Sequence, residues 1–269
     1  MSARKHRFAR PFWQADKPDL HNNPISDLRF RLLAYVMTAL AGAINAGGFF
    51  AVARYTSHVT GALSQSADEL YLGNGHIALS LLLGVVAFIL GAAHSGWTVL
   101  WAKRHRFRSS YGLSMWLEAL YLLLFGLSGL FLPHNIAETQ TILLLLLCFI
   151  MGMHNTVMTV LSGGAVRSTH MTGTATDLGI ELAKMLYYRH DDNPRLVDVR
   201  VNRPKMRLLS GLFTAFILGG LIGAWGYHQI GYHFTLPVAA ILGTIAWGFI
   251  HYDIRLRWRW WRNHVQHKT

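Results

Sequence analysis

The sequence holds one cysteine, Cys148, so no intrachain disulfide can form, and the compartment must be read from something other than thiols. Charge is scarce as well: 14% of the 269 residues, against roughly a quarter in a soluble domain. Acids are the scarcer sign, with 13 Asp and Glu against 25 Lys and Arg. Nor is there a P-loop, a G-x-S-x-G elbow, an H-E-x-x-H helix or a convincing paired-carboxylate or Ser-His-Asp spacing, so the common phosphate-binding and hydrolase signatures are missing. The 15 histidines are scattered without ligand spacing, and neither a metal nor a cofactor is expected.

What the chain has instead is hydrophobic length. Hydrophobic residues make up 52%, gathered into six apolar stretches at 32–53, 77–101, 112–132, 140–163, 208–228 and 234–252. A span needs about 20 such residues, because a helix rises about 1.5 Å per residue through a layer about 30 Å thick. Unbroken runs of this length differ from the short alternating strands of an outer-membrane barrel, and each helix satisfies its own backbone hydrogen bonds in lipid. The polar, basic first residues followed by a full-length span do not look like a cleaved signal.

The placement of charge gives the threading. With six spans taken in order, every Lys and Arg except Arg54 falls on one side: the N-terminal segment, Lys103 to Arg108, Arg167 to Arg207, and the tail from Arg255. Basic loops stay cytoplasmic, which places both termini inside a bacterial inner membrane. The tail IRLRWRWWRNH mixes Arg with Trp258, Trp260 and Trp261 and suits a helix end on anionic lipid headgroups. The adjacent span makes nucleic acid the poorer partner for this charge.

One phrase occurs twice. SHVTG at Ser57–Gly61 follows the first apolar run, and THMTG at Thr169–Gly173 follows the fourth. Upstream lie Gly42-Ala-Ile-Asn45 and Gly152-Met-His-Asn155; downstream, AFILG recurs at Ala87 and Ala215, the second interval lengthened by the insert RHDDNPRLVDVRVNRPK. A repeat of three spans is odd in number, so its second copy runs upside down relative to the first, as in inverted-repeat transporters with a site near the midplane. The expected fold is an all-α integral membrane protein of six transmembrane helices in two inverted three-helix repeats. Each repeat carries a short re-entrant or interfacial helix after its first span. The expected segments are a basic tail 1–28, repeats 29–135 and 136–252, and a basic, aromatic tail 253–269. Each phrase leads into a short helix pattern, ALSQSADELYL and TATDLGIELAKMLYY, the second with one apolar and one polar face. Thr60 and Thr172 are placed to cap these helices, and Thr174 with Asp177 fits a capping box.

These residues resemble a family. Gly42, Asn45, Thr60, Gly61, Gly152, Thr172, Gly173, Asp177 and Gly179 match the pattern of the YoaK-like bacterial inner-membrane proteins of unknown function, over roughly residues 30 to 252. The first copy departs in reading Val59 where methionine is common and Asn45 where an acid is often found. The resemblance implies the fold and brings no reaction with it.

The functional expectation is a small secondary transporter or permease for a polar or anionic solute. Its binding residues would be Asn45, His58, Thr60, Gly61, Asn155, His170, Thr172, Gly173 and Asp177. Against this stand structural roles: asparagines as interhelical glue, histidines as satisfied cap neighbours. Glu118, the acid within a span, is a proton-relay candidate by position, with pairing to Arg106 or Arg108 as its competing explanation. The small-residue stripes Gly91-x-x-x-Ser95 and Gly219-x-x-x-Gly223 predict close helix packing, and would also serve a homodimer. The alternatives are a membrane-embedded enzyme with His170, Asp177 and Glu181 at the cytoplasmic phrase, and a non-catalytic scaffold.

Overall fold

The computed structural model describes residues 28–52, 54–107, 110–131, 137–164, 166–187 and 199–266. The N-terminal basic tail and much of the polar insert, with Arg108, Arg189, Arg195 and Lys268, lie outside these residues. Among the described residues all regular structure is helical: α1 (Leu28–Val52), α2 (Val59–Tyr71), α3 (Gly75–Arg104), α4 (Gly112–Phe131), α5 (Ala137–Leu161), α6 (Met171–Tyr187), α7 (Arg203–Ile230) and α8 (Thr235–Gln266). Four tracts are long and apolar enough to cross a membrane: Phe30–Phe50, Gly75–Arg104, Thr139–Leu161 and Arg203–His251, the last containing α7 and the first part of α8. The apolar tract of α4, Gly112–Ser128, is shorter. The helices therefore have the dimensions of a membrane protein.

Local chemistry sets the ends. Asn202 caps α7 by accepting from Lys205 N at 3.0 Å, with a proline in the first turn. Gly231, at φ 58°, ends it, and a single 3-10 turn, Gly231–Phe234, leads directly into α8. The last helix, α8, runs on into the aromatic and basic tail as far as Gln266.

Burial separates a centre from a periphery. In α1 and α5, 61% of the apolar window is buried, against 22% in α3 and 28% in the α7–α8 tract. Met37 and Ile44 of α1, Met115, Leu122 and Phe125 of α4, and Leu147, Met151 and Met158 of α5 form the solvent-free core. Around it, α1 packs on α7, α5 on α3 and α4 on α8, while α2 lies on α3 and α6 on α7. Exchanging α1 with α5, α2 with α6, α3 with α7 and α4 with α8 carries each of these pairs onto another of them or onto itself.

The two major crossings correspond residue by residue. A Cβ on Gly42 would strike the carbonyl of Phe216, and one on Gly152 that of Phe88. Conversely, a Cβ on Gly219 would strike Ala39 and one on Gly91 would strike Phe149. Backbone thus meets backbone at both crossings, which only glycine permits. The stripes read from the sequence act in packing: Gly223 lies against Ala43 at the α1–α7 crossing, and Ser95 of α3 bonds Ser114 of α4 at 2.7 Å.

Candidate functional site

Each histidine phrase is built in the same way. At the end of α1, Asn45 Oδ1 accepts from Ser57 N (3.2 Å) and Ser57 Oγ (3.0 Å). At the end of α5, Asn155 Oδ1 accepts from Thr169 N (3.3 Å) and Ser168 Oγ (3.4 Å), and Asn155 Nδ2 donates to Thr169 Oγ1 (2.5 Å). The asparagine amide therefore fixes the turn that reverses the chain from the long helix into the short one. Polar side chains are costly in apolar surroundings unless satisfied, and each amide oxygen is satisfied by its own phrase.

The following residue pair is also shared. A Cβ on Gly61 would collide with the His58 ring, and a Cβ on Gly173 with the His170 ring. Each imidazole lies across the first turn of its short helix, in the space that glycine leaves. Helix backbone bonding begins at the histidine carbonyls, from Ala62 N to His58 O (2.9 Å) and from Thr174 N to His170 O (3.0 Å).

The expected threonine caps do not form. The short helices start at Val59 and Met171, so Thr60 and Thr172 lie inside the first turn, exposed. Thr174 Oγ1 donates back to His170 O at 3.0 Å instead of closing a capping box. The turns held by Asn45 and Asn155 begin the helices earlier, leaving these hydroxyls within the helical turns.

The short helices bury polar side chains and leave large apolar ones exposed. In α2 the buried residue is Ser66, while Leu63, Leu70 and Tyr71 are exposed. In α6 the buried residues are Thr174 and Glu181, while Ile180, Leu182, Leu186 and Tyr187 are exposed. The residues these helices bury are polar, while their exposed faces mix large apolar residues with Thr60, Ser64, Gln65 and Asp68 of α2 and Thr172 and Thr176 of α6.

Around α6 the polar face is ionic. Glu181, 1% exposed, accepts from Lys184 Nζ (2.9 Å) and Asn202 N (2.7 Å). The hydrogen bond from Lys184 leads the effects that hold its carboxyl below the usual carboxylate range. Asp177 pairs with Lys205 at 3.3 Å. Both acids thus tie α6 to the head of α7.

The first phrase borders a cavity of about 30 Å³. Arg54, Thr56 and His58 line one side, and Phe88 of α3 with Leu144 and Cys148 of α5 line the other. It has room for a water or two. A larger, open groove of about 430 Å³ lies between α4 and α8, lined by apolar residues between Trp116 and Trp247. It contains none of the residues singled out in the sequence.

Glu118 has a different partner from those expected of it. Neither of the arginines considered for it meets it among the described residues: Arg106 sits exposed at φ 58°, and Arg108 is not described. His154 of α5 lies with Nδ1 2.5 Å from Glu118 Oε1, and its Nε2 is 2.9 Å from the carbonyl oxygen of Met37 on α1. Both side chains are fully buried. His154 stood in plain view beside Asn155 in the second G-x-x-N motif. Its signal was an ionisable residue within an apolar span, in a chain with an intramembrane acid still to be matched.

The structure thus joins Asn45 with its own phrase, Asn155 with its own phrase and Asp177 with Lys205. The cavity beside His58 has no residue of the second phrase in its walls. This whole frame, from α1 into α8, falls within one family: the model of DUF1275, proteins of unknown function, matches residues 33–248. The chain belongs to the DUF1275 family. The YoaK-like resemblance is consistent with that uncharacterised family, which brings no reaction with it. No curated protein and no solved structure matches the chain.

Proposed function

We propose that this DUF1275 protein is a six-span protein of the bacterial inner membrane, with both termini cytoplasmic and two inverted three-helix halves, and that it acts as a small secondary transporter of a polar or anionic solute. The observation that carries this reading is the polar character of the residues that α2 and α6 bury. Helices that bury Ser66, Thr174 and Glu181 while exposing Leu70, Ile180 and Leu186 suit a polar route inside the bundle. The exchange-related packing of α1 on α7 and α5 on α3 supports the inverted repeat.

In this reading His58, Thr60 and Gly61 face one side of the membrane and His170, Thr172 and Gly173 the other. Each set stands where a short helix begins and where an asparagine-held turn acts as a hinge. Asn45 and Asn155 contribute as the hinges. The cavity beside His58 is too small for a metabolite, so passage requires α2 to swing from α3. The enzyme alternative is less well supported, because Asp177 and Glu181 are engaged in ion pairs and hydrogen bonds that tie α6 to α7.

Sidedness tests the reading. In a Cys148→Ser background, Tyr55→Cys and Arg167→Cys are exposed in turn to a membrane-impermeant maleimide in intact cells and in inverted vesicles. The expected outcome is labelling of position 55 from outside and position 167 from inside. Labelling of both from one side overturns the inverted repeat, and with it the transporter reading. In proteoliposomes, flux of a solute from a broad metabolite panel is expected, with loss in His58→Ala.

A further inference from the structure

The Glu118–His154 pair obeys a hydrogen-bond constraint that fixes its protons. The Met37 carbonyl can only accept, so His154 Nε2 carries a hydrogen and donates to it. Nδ1 and Glu118 Oε1, 2.5 Å apart, cannot face each other with two bare lone pairs, so one proton lies between them. Whether that proton sits on nitrogen or oxygen, the pair has no net charge, which is what a fully buried site favours. The second oxygen, Glu118 Oε2, is buried with no partner among the described residues. One residue after Met37, Thr38 Oγ1 is likewise buried and unpartnered.

The surroundings leave the pair to itself. On the helices packed around it, the interior titratable groups are Tyr35 of α1, His94 of α3, Tyr121 of α4 and Cys148 of α5. His94 is engaged with Tyr121 at 3.4 Å and with the Phe149 ring. The charged residues of α1 and α3 lie toward helix ends, at Arg29, Arg31, Lys103 and Arg104, and those of α8 lie in its C-terminal half, from Asp253 onward. The first half has no counterpart, since the position matching His154 is Ile44.

We propose that Glu118 and His154 form an exchangeable proton site within the bundle, holding one shared proton at rest and taking a second onto Glu118 Oε2 from water when the helices part. The new O–H bond forms at Oε2, the shared proton stays on His154, and the pair becomes singly positive; closure returns the proton to water. The inference gives the proposed transporter its coupling ion and rests on that reading for its purpose, though not for its existence.

The test uses the full-length protein in lipid nanodiscs and the proton itself as probe. Infrared difference spectra between about pH 5 and about pH 8 span the range in which histidine-linked sites exchange protons. A carbonyl-stretch band from a carboxylic acid in apolar surroundings is expected in acid, lost in Glu118→Gln and shifted in His154→Gln. The glutamine amide can still donate to Nδ1, so the first variant keeps the packing while removing the exchangeable proton. A band unchanged in Glu118→Gln, or none at all in the wild type, overturns the proposal. Both results are independent of cysteine labelling. One-sided labelling with an intact band sinks transport and leaves the proton site standing, and the converse result does the reverse.

Discussion

The two histidine phrases are alike in backbone and unlike in charge. Each has an asparagine holding a turn, a histidine ring laid over a glycine and a short helix that buries a polar residue. Around the first, Arg54 borders a small cavity, and among the described residues no ion pair joins α2 to α3. Around the second, two acids lock α6 to α7, and the helix before it carries the buried pair with Glu118. The shared features are geometric and serve the fold twice. The features that differ are chemical, and a directional process needs such a difference between its two sides.

Removing the asymmetry in the core should have the largest effect. His154→Ile gives the second half the residue at the matching place in the first, and strands Glu118 without its partner. A loss of about 3–5 kcal/mol is expected, the scale for breaking a buried ionic pair. Thermal unfolding in detergent should show it, with Glu118→Gln in the same background restoring part of the loss.

The crossings should be next, and equal. Gly42→Val and Gly152→Val each force a side chain into a facing backbone, for which about 1–3 kcal/mol or more is expected. Unequal costs, read from the same unfolding curves, would show that one crossing yields where the other does not.

Asn45→Ala and Asn155→Ala come third, at about 1 kcal/mol each. Asn155 is expected to cost more, since its amide nitrogen also donates to Thr169. The readout is labelling rate at the adjacent turn, which should rise in both variants.

The smallest effect is one of pH. Glu181 is held below the usual carboxylate range, so its contribution is present above that range and is lost as pH falls through its lowered value. Hydrogen exchange should show α6 losing protection in acid while α2, whose interior residue is Ser66, keeps its own. Equal loss in both would remove the charge lock from the comparison.

The helices were legible because apolar length is a strong signal, and all eight lie where runs or phrases placed them. The short ones began three residues early. Asn45 and Asn155 set those starts through tertiary bonds, and threonine preference for caps could not compete. The glycine repeat was readable, though its meaning was not: only coordinates show that Gly61 and Gly173 make room for the histidines before them. Which way α6 turns its acids was closed to a periodicity argument, because an amphipathic pattern gives two faces and does not say which solvent each meets. Glu118 was conspicuous as an acid in a span, but its partner lay on another helix across an interval that no local spacing encodes.

The crossings of α1 on α7 and α3 on α5 each join helices from opposite halves of the chain. During synthesis α1 enters the bilayer long before α7 exists, and its glycine-lined face has nothing of its own half to close against. Biogenesis must keep that face waiting in lipid, or in the care of an insertase, until the final helices emerge. A severed protein should accordingly be recoverable only when both fragments are made together in the same membrane.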